Sequence, residues 1–397
     1  MYLDMQNKQK LDKKILVTGG GSGGHVSVAT AFIDALSERF SDINDHILYV
    51  GSDLGMVGEK NSVSVEQRRM ADRNIKFVSL RAGKLQRRLE LTTILLLFRT
   101  LLGVVDAFGY IREFRPDLVF CTGGYLGVPI AIASWFYRIP IYLHEQTAAV
   151  GMSNSFVGKI AKRVYITFPT SEKYFNKEKV LHTGNLLRPS IFKVHPKADI
   201  GGALQIMKKN GLPVIYVSGG GQGSHIINTL IRDMLKYSLM EYQILLQTGD
   251  NQIFKDYDVI YKEWKKLPAN LQNRLFVTKF VTDDDIGAVF KAADLYLGRS
   301  GANTVYELGV MKIPSILIPI PWVTHNEQEL NANILKDLGL GRVILEGEAT
   351  GSKLHAEIKD MLLLKKKRNL DADAIEKVFV LNAKEAIMED LFKSIYN

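Results

Sequence analysis

The 397-residue sequence has only one cysteine, Cys121, and no long uninterrupted run of apolar residues. A single cysteine excludes a disulfide framework and a thiolate metal cluster, and it is typical of proteins in a reducing cytosol. Because no apolar stretch reaches about 18 residues without a charge, we expect no transmembrane helix. The opening segment, MYLDMQNKQKLDKK, is too polar for a signal peptide. These absences predict a soluble cytoplasmic protein.

The charge that is present is unevenly distributed along the chain. The formal net charge is +9, and residues 1–188, with 25 basic and 17 acidic side chains, account for nearly all of it. A basic first half beside a nearly neutral second half suggests that the first half meets a polyanion or an anionic surface. The alternative, which charge alone leaves open, is a solvated basic face that only aids solubility. The apolar fraction of 46% is that of a globular protein rather than a disordered one.

Short apolar segments that favour strands alternate with helical patterns. The predicted strands lie in KKILVTGG, HILYVGS, IKFVSL, PDLVFCTGG, IPIYLHE, RVYITFP, PVIYVSGGG, YQILLQTG, LFVTKFV, ADLYLGRSG and PSILIPIP. Strands separated by helices predict parallel sheets with right-handed crossovers. We therefore predict an α/β protein of two Rossmann-like domains, residues 1–188 and 189–377, with Pro189 and Pro196 in the joining segment. The closing segment, about residues 378–397, is expected to be helical and can pack back on either domain, including the first.

The first glycine-rich loop, GGGSGGH, ends at His25 and can hold a phosphate. Its glycines allow close backbone approach, and the next helix presents free N–H groups at its N-terminus. The spacing of Gly19, Gly21 and Gly24 also matches the dinucleotide fingerprint, with Asp53 where a ribose-binding carboxylate follows, so an NAD-dependent dehydrogenase is one alternative. At the helix start, the helix dipole lowers the pKa of His25 and favours a neutral imidazole that can accept a proton. A capping or packing role is the alternative for His25.

Two later loops repeat this arrangement. The segment GGGQGS ends at Ser224 before a predicted helix, and GRSGANTVYE follows the strand ADLYL and enters another helix. Glu307 lies about 6 Å along that helix from Asn303, where its carboxylate can accept from both hydroxyls of a ribose. Two phosphate cradles suit a nucleotide donor and an acceptor that also carries phosphate. The polar cluster from Thr324 to Ala332 can either read sugar hydroxyls or form a capping network.

The order and spacing of these motifs resemble the MurG family of glycosyltransferases, from about residue 13 to about residue 345. The motifs are GGGSGGH, GGY, IPIYLHEQ, GN-x-x-R, GGGQGS, GRSGANTVYE and Gln328-x-x-Asn331-Ala332. The resemblance implies a GT-B fold, with two Rossmann-like parallel-sheet domains and an interdomain cleft. It also implies inverting transfer of N-acetylglucosamine from its UDP donor to the muramoyl 4-hydroxyl of undecaprenyl-diphospho-muramoyl-pentapeptide (lipid I). The product is lipid II, used in peptidoglycan synthesis.

The resemblance assigns roles to residues of both domains. The catalytic candidates are His25 and Glu145, and neither is preferred as the base that removes the acceptor proton. The acceptor-binding residues that it implies are Gly21, Ser22, Gly23, Gly24, Tyr125 and His144. The donor-binding residues that it implies are Arg188, Gly220, Gly221, Gln222, Gly223, Ser224, Val281, Ser300, Gly301, Ala302, Glu307, Glu327 and Gln328. Among these, Arg188 is placed near the diphosphate, the Val281 backbone at the uracil edge, and Glu307 at the ribose hydroxyls.

Three residues depart from the family's pattern. Thr147 follows HEQ where the family often has asparagine, and Gly221 stands in the second glycine loop where serine is common. Glu327 precedes Gln328 where the family has a pair of glutamines, and this pair is implied to contact the donor sugar. These departures bear on sugar specificity rather than on the fold.

No metal or other cofactor is expected. Asp283 and Asp285 match the Asp-x-Asp pattern that holds Mn²⁺ or Mg²⁺ in another class of glycosyltransferases. They follow the strand LFVTKF, with Thr282 ahead of them, so capping of the next helix is the preferred interpretation.

A basic and apolar stretch predicts contact with an anionic membrane surface through residues 73–105. Seven basic residues and one acid, Glu90, occupy residues 73–99 and run into LTTILLLFRTLLGVV. Such a stretch can hold a protein peripherally on the cytoplasmic face of the membrane, where the acceptor's lipid lies. The alternative is that most of these leucines form a buried core helix.

The expected partners are UDP-N-acetylglucosamine, the undecaprenyl-linked acceptor and the membrane surface, with cell-wall synthesis proteins as further candidates. Nucleic acid is not expected, because the basic residues flank an apolar helix rather than aromatic stacking platforms. Three alternatives stay open: a UDP-sugar transferase of the diacylglycerol glycosyltransferase type, the NAD-dependent dehydrogenase, and a non-catalytic protein that binds nucleotide sugars.

Overall fold

The protein divides into two α/β units, each built around an all-parallel β-sheet. A computed structural model describes residues 8–20, 23–52, 64–81, 91–323, 326–365 and 370–396. The first unit comprises Met1–Leu187 and Val380–Asn397, and the second comprises Arg188–Phe379. The first boundary therefore lies one residue before the predicted one, and the closing segment belongs to the first unit.

Seven strands form the main sheet of the first unit. The elements in chain order are β1 (Gln9–Lys10), β2 (Ile15–Thr18), α1 (Gly23–Arg39), β3 (Phe40–Ser41), β4 (Ile47–Ser52), α2 (Val65–Ala71), β5 (Lys76–Leu80), α3 (Leu91–Phe114), β6 (Leu118–Cys121), α4 (Gly127–Phe136), β7 (Ile141–Glu145), α5 (Met152–Ile160), β8 (Arg163–Ile166) and β9 (Val180–His182). The strands lie side by side in the order β5-β4-β2-β6-β7-β8-β9, while β1 and β3 pair separately.

Six strands form the sheet of the second unit. Its elements are α6 (Ala198–Asn210), β10 (Val214–Ser218), α7 (His225–Ser238), β11 (Gln243–Gln247), α8 (Asp256–Lys265), α9 (Ala269–Gln272), β12 (Leu275–Thr278), α10 (Ile286–Ala292), β13 (Leu295–Gly298), α11 (Ala302–Val310), β14 (Ser315–Leu317), α12 (Glu327–Asp337), β15 (Gly341–Val343), α13 (Gly351–Lys365) and α14 (Ala372–Val378). The spatial order is β12-β11-β10-β13-β14-β15. The last helix, α15 (Ala383–Tyr396), belongs to the first unit.

Both sheets have the Rossmann strand order, in which the order reverses beside the first strand. In the first unit β2 pairs with both β4 and β6, and in the second β10 pairs with both β11 and β13. A crevice opens at the carboxyl ends of such strands, because the connections leave the sheet in opposite directions there. The loops after β2 and β6, and those after β10 and β13, therefore lie where this fold binds ligands. The predicted class of two Rossmann-like parallel-sheet domains is confirmed.

The central strands are covered on both faces, which explains their unbroken apolar sequences. All four residues of β2, ILVT, are buried, as expected for a parallel strand between two helical layers. On one face Phe32 of α1 stacks on Phe120 of β6, with ring centroids 3.7 Å apart. Ile387 and Leu391 of α15 join the same core, and Ile130 of α4 packs on the opposite face.

All the predicted strands are present, but the sequence analysis missed four others: the two-residue strands β1 and β3, which pair with each other, and two edge strands of the main sheets. The edge strands are β9 and β15, each with three residues of intermediate burial, which is too short for a recognisable pattern. The closing segment contains the helix α15, while α14 precedes it and belongs to the second unit. Within the described ranges, none of the helices is both long and apolar enough to cross a membrane.

One carboxylate of α15 fastens this helix to the sheet of the first unit. Asp390 accepts from the Arg163 guanidinium, at 3.1 Å from Nε and 3.0 Å from Nη2, and from the Tyr165 hydroxyl at 2.9 Å. Further along the helix, Ser394 Oγ lies 2.7 Å from the Tyr142 hydroxyl. A bidentate contact of this kind fixes orientation as well as adding stability.

We expect Asp390→Ala to lower the free energy of unfolding by about 1–3 kcal/mol, because it removes three hydrogen bonds and leaves Arg163 without its carboxylate. Urea denaturation followed by circular dichroism measures the change. Glu389→Ala, at the exposed position one residue earlier, is the control and should shift the value by less than about 0.5 kcal/mol. Equal effects of the two substitutions would contradict the assigned contact.

Candidate active site

His25 lies in the first turn of α1, beside the strand-order reversal of the first unit. Its Nδ1 is 2.7 Å from the carbonyl oxygen of Thr122, the residue after β6. A carbonyl oxygen can only accept, so this bond assigns the proton of neutral His25 to Nδ1 and the lone pair to Nε2. In return, the Thr122 hydroxyl donates to the His25 carbonyl oxygen at 3.0 Å. Neutral His25 can therefore accept a proton at Nε2.

The ring of His25 packs against the Gly123–Gly124 turn of the GGY motif. Gly123 has φ +101° and Gly124 has φ +88°, values that favour glycine. A Cβ on Gly123 would lie 3.0 Å from Cε1 of His25, so a larger residue would press on the ring. Burial lowers the pKa of His25, although the hydrogen bond to Thr122 opposes the shift. The ring is therefore neutral near pH 7, as a general base must be.

Gln146 supports the same carbonyl group, a role that sequence reasoning did not assign. Its Nε2 donates to the Thr122 carbonyl oxygen at 2.7 Å. A carbonyl oxygen has two lone pairs, so it can accept from both His25 and Gln146. The one sequence signal for Gln146 is its place in the IPIYLHEQ motif.

Glu145, the second catalytic candidate, is enclosed by donors of its own unit. It ends β7 and is 1% exposed. Oε1 accepts from the Thr147 N–H at 2.9 Å and lies 2.8 Å from the Thr147 hydroxyl, and Oε2 accepts from Asn154 Nδ2 at 2.8 Å. Burial raises the pKa of Glu145, while these hydrogen bonds oppose the shift. The contacts of Glu145 with Thr147 and Asn154 therefore hold the segment between β7 and α5 in place.

The other acceptor-binding candidates lie at the same strand ends. The Tyr125 hydroxyl donates to Ser52 Oγ at 3.2 Å, which links the loop after β6 to the end of β4. His144 in β7 is fully buried, and its Nε2 lies 3.3 Å from the carbonyl oxygen of Gly184. Gly23 and Gly24 begin α1. The predicted residues of this unit that lie outside the described ranges are Gly21, Ser22 and Asp53.

In the second unit, the glycine loop after β10 turns sharply into α7. Gly220 has φ +88° and Gly223 has φ +79°. A Cβ on Gly223 would clash with the carbonyl oxygen of Thr248, so only glycine fits there. Ser224 is the N-cap of α7, and its Oγ accepts from the Ile227 N–H at 3.5 Å. The loop and the N-terminus of this 14-residue helix form an arrangement that can hold a phosphate.

Gln247 joins this loop to the predicted uracil site, and sequence reasoning missed it. At the end of β11, its Nε2 donates to the Gly220 carbonyl oxygen at 3.1 Å. Its Oε1 accepts from the Val281 N–H at 3.3 Å and from the Tyr216 hydroxyl at 2.9 Å. The Val281 N–H is thus already engaged, so a uracil edge must share or replace this bond. A glutamine at a strand end carries no distinctive sequence signal.

Arg188 and Glu307 form a bidentate ion pair that the sequence did not predict. Arg188 Nε and Nη2 lie 2.6 and 2.8 Å from the two Glu307 oxygens, and Nη1 lies 2.7 Å from Asp283. The Glu307 side chain is only 7% exposed. Burial disfavours the charged form of Arg188, but both carboxylates more than offset this and raise its pKa. Each Glu307 oxygen keeps a second lone pair, so the carboxylate can still accept from ribose hydroxyls.

The loop after β13 is tied to the start of α12. Gly301 is the N-cap of α11, which begins at Ala302. Ser300 Oγ donates to the Gln328 carbonyl oxygen at 2.8 Å, and Gln328 Oε1 accepts from the Ile320 N–H at 3.1 Å. These two bonds fix the backbone and the amide of Gln328, a predicted sugar contact.

The remaining predicted donor residues lie on these loops. Glu327 begins α12, directly before Gln328. Gly221 and Gln222 form the tip of the second glycine loop. A Cβ on Gly221 would meet no atom within 4 Å, so packing does not require glycine where the family often has serine. Thr324 and His325 lie outside the described residues.

The aspartates after β12 are engaged in ion pairs and backbone contacts. Asp283 pairs with Arg188, and Asp284 Oδ2 lies 3.6 Å from Lys197 Nζ. Asp285 takes the N-cap position of α10, but its carboxylate accepts from the Thr282 hydroxyl at 2.6 Å and the Lys197 N–H at 2.8 Å rather than from the helix. In the described part of the chain, no cluster of three or more histidine, cysteine, aspartate or glutamate side chains could hold a metal.

Burial lowers the pKa of His144 to about 4, below the value of about 6.5 for an exposed histidine. Between these values the unfolded chain takes up a proton that the folded protein does not, so stability falls as the pH drops through this window. We expect His144→Gln, whose amide can still donate to Gly184, to remove this loss of at most about 3 kcal/mol. Urea denaturation at several pH values between about 7 and 4.5 measures it. His195→Gln, at an exposed position, is the control, and an unchanged pH dependence in His144→Gln would contradict the assignment.

Comparison with known proteins identifies the family. The model of the glycosyltransferase family 28 N-terminal domain matches residues 15–166, and that of the C-terminal domain matches residues 214–389. A Desulforamulus reducens protein named UDP-N-acetylglucosamine--N-acetylmuramyl-(pentapeptide) pyrophosphoryl-undecaprenol N-acetylglucosamine transferase is 34% identical over 371 residues, which cover 92% of this chain and 94% of that protein. A protein of the same name from Thermoanaerobacter sp. is 32% identical over 387 residues, which cover 96% of this chain and 100% of that protein.

A solved structure shares the fold over nearly the whole chain. The crystal structure of MurG from Acinetobacter baumannii has a TM-score of 0.70 at 22% identity and covers 96% of this chain and 99% of that one. At this identity the likeness concerns the fold alone. The matched family models describe glycosyltransferase domains, and the two relatives are named as transferases. The NAD-dependent dehydrogenase alternative is therefore excluded. The chain belongs to the MurG family of glycosyltransferases, within glycosyltransferase family 28.

Proposed function

We propose that this protein transfers N-acetylglucosamine from UDP-N-acetylglucosamine to the muramoyl 4-hydroxyl of undecaprenyl-diphospho-muramoyl-pentapeptide, the step from lipid I to lipid II. The two relatives described above carry such a transfer in their names. The observation in this chain that carries the proposal is His25, held through Nδ1 by the Thr122 carbonyl oxygen at a strand-order reversal. A base at this place lies beside a loop built to hold the acceptor's diphosphate.

The proposed reaction is a single displacement at the anomeric carbon of the donor sugar. His25 Nε2 takes the proton of the muramoyl 4-hydroxyl as its oxygen attacks from the side opposite the diphosphate. The bond from the anomeric carbon to the β-phosphate oxygen breaks, and UDP leaves with the electron pair, so the configuration inverts. Negative charge on the leaving UDP is stabilised by the N-termini of α7 and α11 and by the cation of Arg188. Because these groups supply the stabilising positive charge, the proposed reaction needs no metal ion.

His25 is preferred over Glu145 as the base. Both Glu145 oxygens are engaged by Thr147 and Asn154, which gives Glu145 a structural role, whereas the Thr122 carbonyl oxygen holds the His25 ring through Nδ1 in its neutral form. Glu145 in this proposal keeps the segment after β7 in place, next to Gln146, which in turn supports the Thr122 carbonyl group.

We expect His25→Ala to lower kcat by about 10²–10⁴-fold, the usual contribution of a general base, with little change in KM for the donor. The KM should hold because the proposed donor residues belong to the second unit. The assay measures UDP release from UDP-N-acetylglucosamine by the purified protein, with EDTA, in the presence and absence of a lipid I analogue. His46→Ala, in the same unit but outside the proposed site, is the control.

Each outcome of this assay has a defined meaning. UDP release that requires the lipid I analogue and persists in EDTA supports the proposed acceptor and the absence of a metal. Release with a diacylglycerol acceptor instead would favour the other lipid-linked transferase. Near-normal turnover by His25→Ala would contradict the assigned base.

We further propose that the first unit docks on the anionic cytoplasmic face of the membrane through a surface on α3 and α4. Leu101 and Val105 of α3 and Trp135 and Phe136 of α4 are exposed, Trp135 by 64%. Phe108 of α3 contacts Phe136, with ring centroids 5.2 Å apart, so the apolar residues of the two helices adjoin. Exposed aromatic and aliphatic side chains grouped in this way are typical of membrane-contacting surfaces.

Fewer basic residues are available to contact the membrane than the sequence predicts. Arg73 pairs with Asp34, Lys76 lies 3.9 Å from Glu113, and Arg81 pairs with Asp106, so three of the seven basic residues are balanced within the protein. The exposed Arg138 follows the aromatic residues of α4 and adds a positive charge beside them. The basic residues Lys84, Arg87 and Arg88 lie outside the described ranges.

We expect the double substitution Trp135→Ser and Phe136→Ser to weaken binding to phosphatidylglycerol vesicles by at least about tenfold, because it removes apolar area that the membrane would bury. Vesicle flotation measures the bound fraction. Met240→Ser, at an exposed apolar position in the second unit, is the matched control and should bind as the wild type does. Unchanged flotation of the double variant would place the membrane contact elsewhere.

A further inference from the structure

A buried guanidinium, that of Arg299, lies among the loops assigned above to the donor. Arg299 directly follows β13, and its side chain is 8% exposed. Nη1 donates to the carbonyl oxygens of Ile318, at 3.0 Å, and Pro319, at 3.3 Å. Nη2 donates to Ser224 Oγ at 2.9 Å. One planar group therefore contacts the end of the second glycine loop and the segment that follows β14.

Glu346 balances the charge of this guanidinium. Its Oε2 lies 2.5 Å from Arg299 Nη2, and its side chain is 9% exposed. A buried ion pair holds its place firmly, because removal of either partner leaves an uncompensated charge inside the protein. The ion pair therefore helps to fix the guanidinium where it contacts the loops, since the same Nη2 also donates to Ser224.

The two segments that Arg299 contacts have different proposed tasks. Ser224 caps α7, whose N-terminus is proposed to hold the donor diphosphate, and Arg299 donates to the same Ser224 oxygen that accepts from Ile227. The segment after β14 leads through Ile320, whose N–H donates to Gln328, to the proposed sugar contact. The Arg299 side chain therefore connects the second glycine loop with the segment that holds Gln328, the proposed sugar contact.

We propose that Arg299 is a positioning residue for the donor, which sets the second glycine loop and residues 318–320, the segment that holds Gln328, at the spacing that one nucleotide sugar requires. This inference rests on the proposed function. An arginine suits the task because its rigid planar fork presents several donors in fixed directions, whereas a lysine has a single flexible ammonium group. Arg299 contacts the loops proposed to hold the diphosphate and the sugar, so its effect falls on binding of these two groups.

The test compares ligands that share the uridine but differ in phosphate. Wild type and Arg299→Lys are titrated with uridine, followed by ligand-observed NMR, and with UDP, followed by calorimetry; KM and kcat are measured with UDP-N-acetylglucosamine. We expect the affinity for uridine to stay within about twofold, because Val281 and Glu307 do not contact Arg299. The affinity for UDP should fall at least about tenfold, and the donor KM should rise to match while kcat stays within about threefold.

Two further variants keep the test decisive. Arg342→Lys changes another arginine of the second unit, which pairs with Glu357 and Asp360. This control should leave the affinities for uridine and UDP and the KM for UDP-N-acetylglucosamine unchanged. Glu346→Gln removes the charge that balances Arg299 but leaves the glycine loop and the Ser224 cap unchanged, and it should lower UDP affinity at least about threefold without affecting uridine affinity. If Arg299→Lys does not fold, the glutamine variant takes its place, and unchanged UDP affinity in that variant would overturn the positioning role.

The outcomes separate this inference from the proposed function. Wild-type protein that binds UDP and transfers sugar, with Arg299→Lys equal to it in UDP affinity and donor KM, overturns the positioning role. An equal loss of affinity for uridine and UDP by folded Arg299→Lys also overturns it, because the effect is then not confined to the phosphate and sugar. Wild type that fails to bind UDP overturns the proposed function itself.

Discussion

The reversal of strand order beside β2 and β10 is the constraint on which the rest of the structure depends. At each reversal the helices leave the sheet on opposite sides, and the strand ends between them stay uncovered. The chain can turn from β10 into α7 only because Gly223 lies against Thr248 without a side chain. The polar groups that the proposed chemistry uses collect around these two places. His25 and Thr122 adjoin one, and Ser224 and Arg299 adjoin the other.

The glycine loops, the central strands and the place of His25 at a helix start were predictable because their signals are local in the sequence. Their partners were not, because the hydrogen bonds join residues that are far apart along the chain. Thr122 is 97 residues from His25, and Glu307 is 119 residues from Arg188. Nothing near Arg188 in the sequence indicates that a buried glutamate will meet it. The edge strands β9 and β15 escaped prediction for a different reason, since three half-buried residues form no periodic pattern.

The two units stabilise a buried carboxylate in opposite ways. Glu307 faces the guanidinium of Arg188, so a cation balances its charge. The hydrogen bonds that hold Glu145 come from neutral donors, the Thr147 backbone and the Asn154 amide, and burial raises its pKa. Neutral donors in an enclosed site favour a fixed structural role. An ion pair whose oxygens keep free lone pairs can instead accept further hydroxyls, which suits Glu307 to recognition of a ligand.

The first unit is discontinuous in the sequence, since the chain leaves it at Leu187 and returns at Val380. Its core is completed by four side chains of α15: Ile387, Met388, Leu391 and Phe392. During synthesis, the ribosome releases this last part of the core only after the whole second unit has emerged. The second unit is contiguous and can finish folding first, while the unit that emerged earlier waits for its final helix.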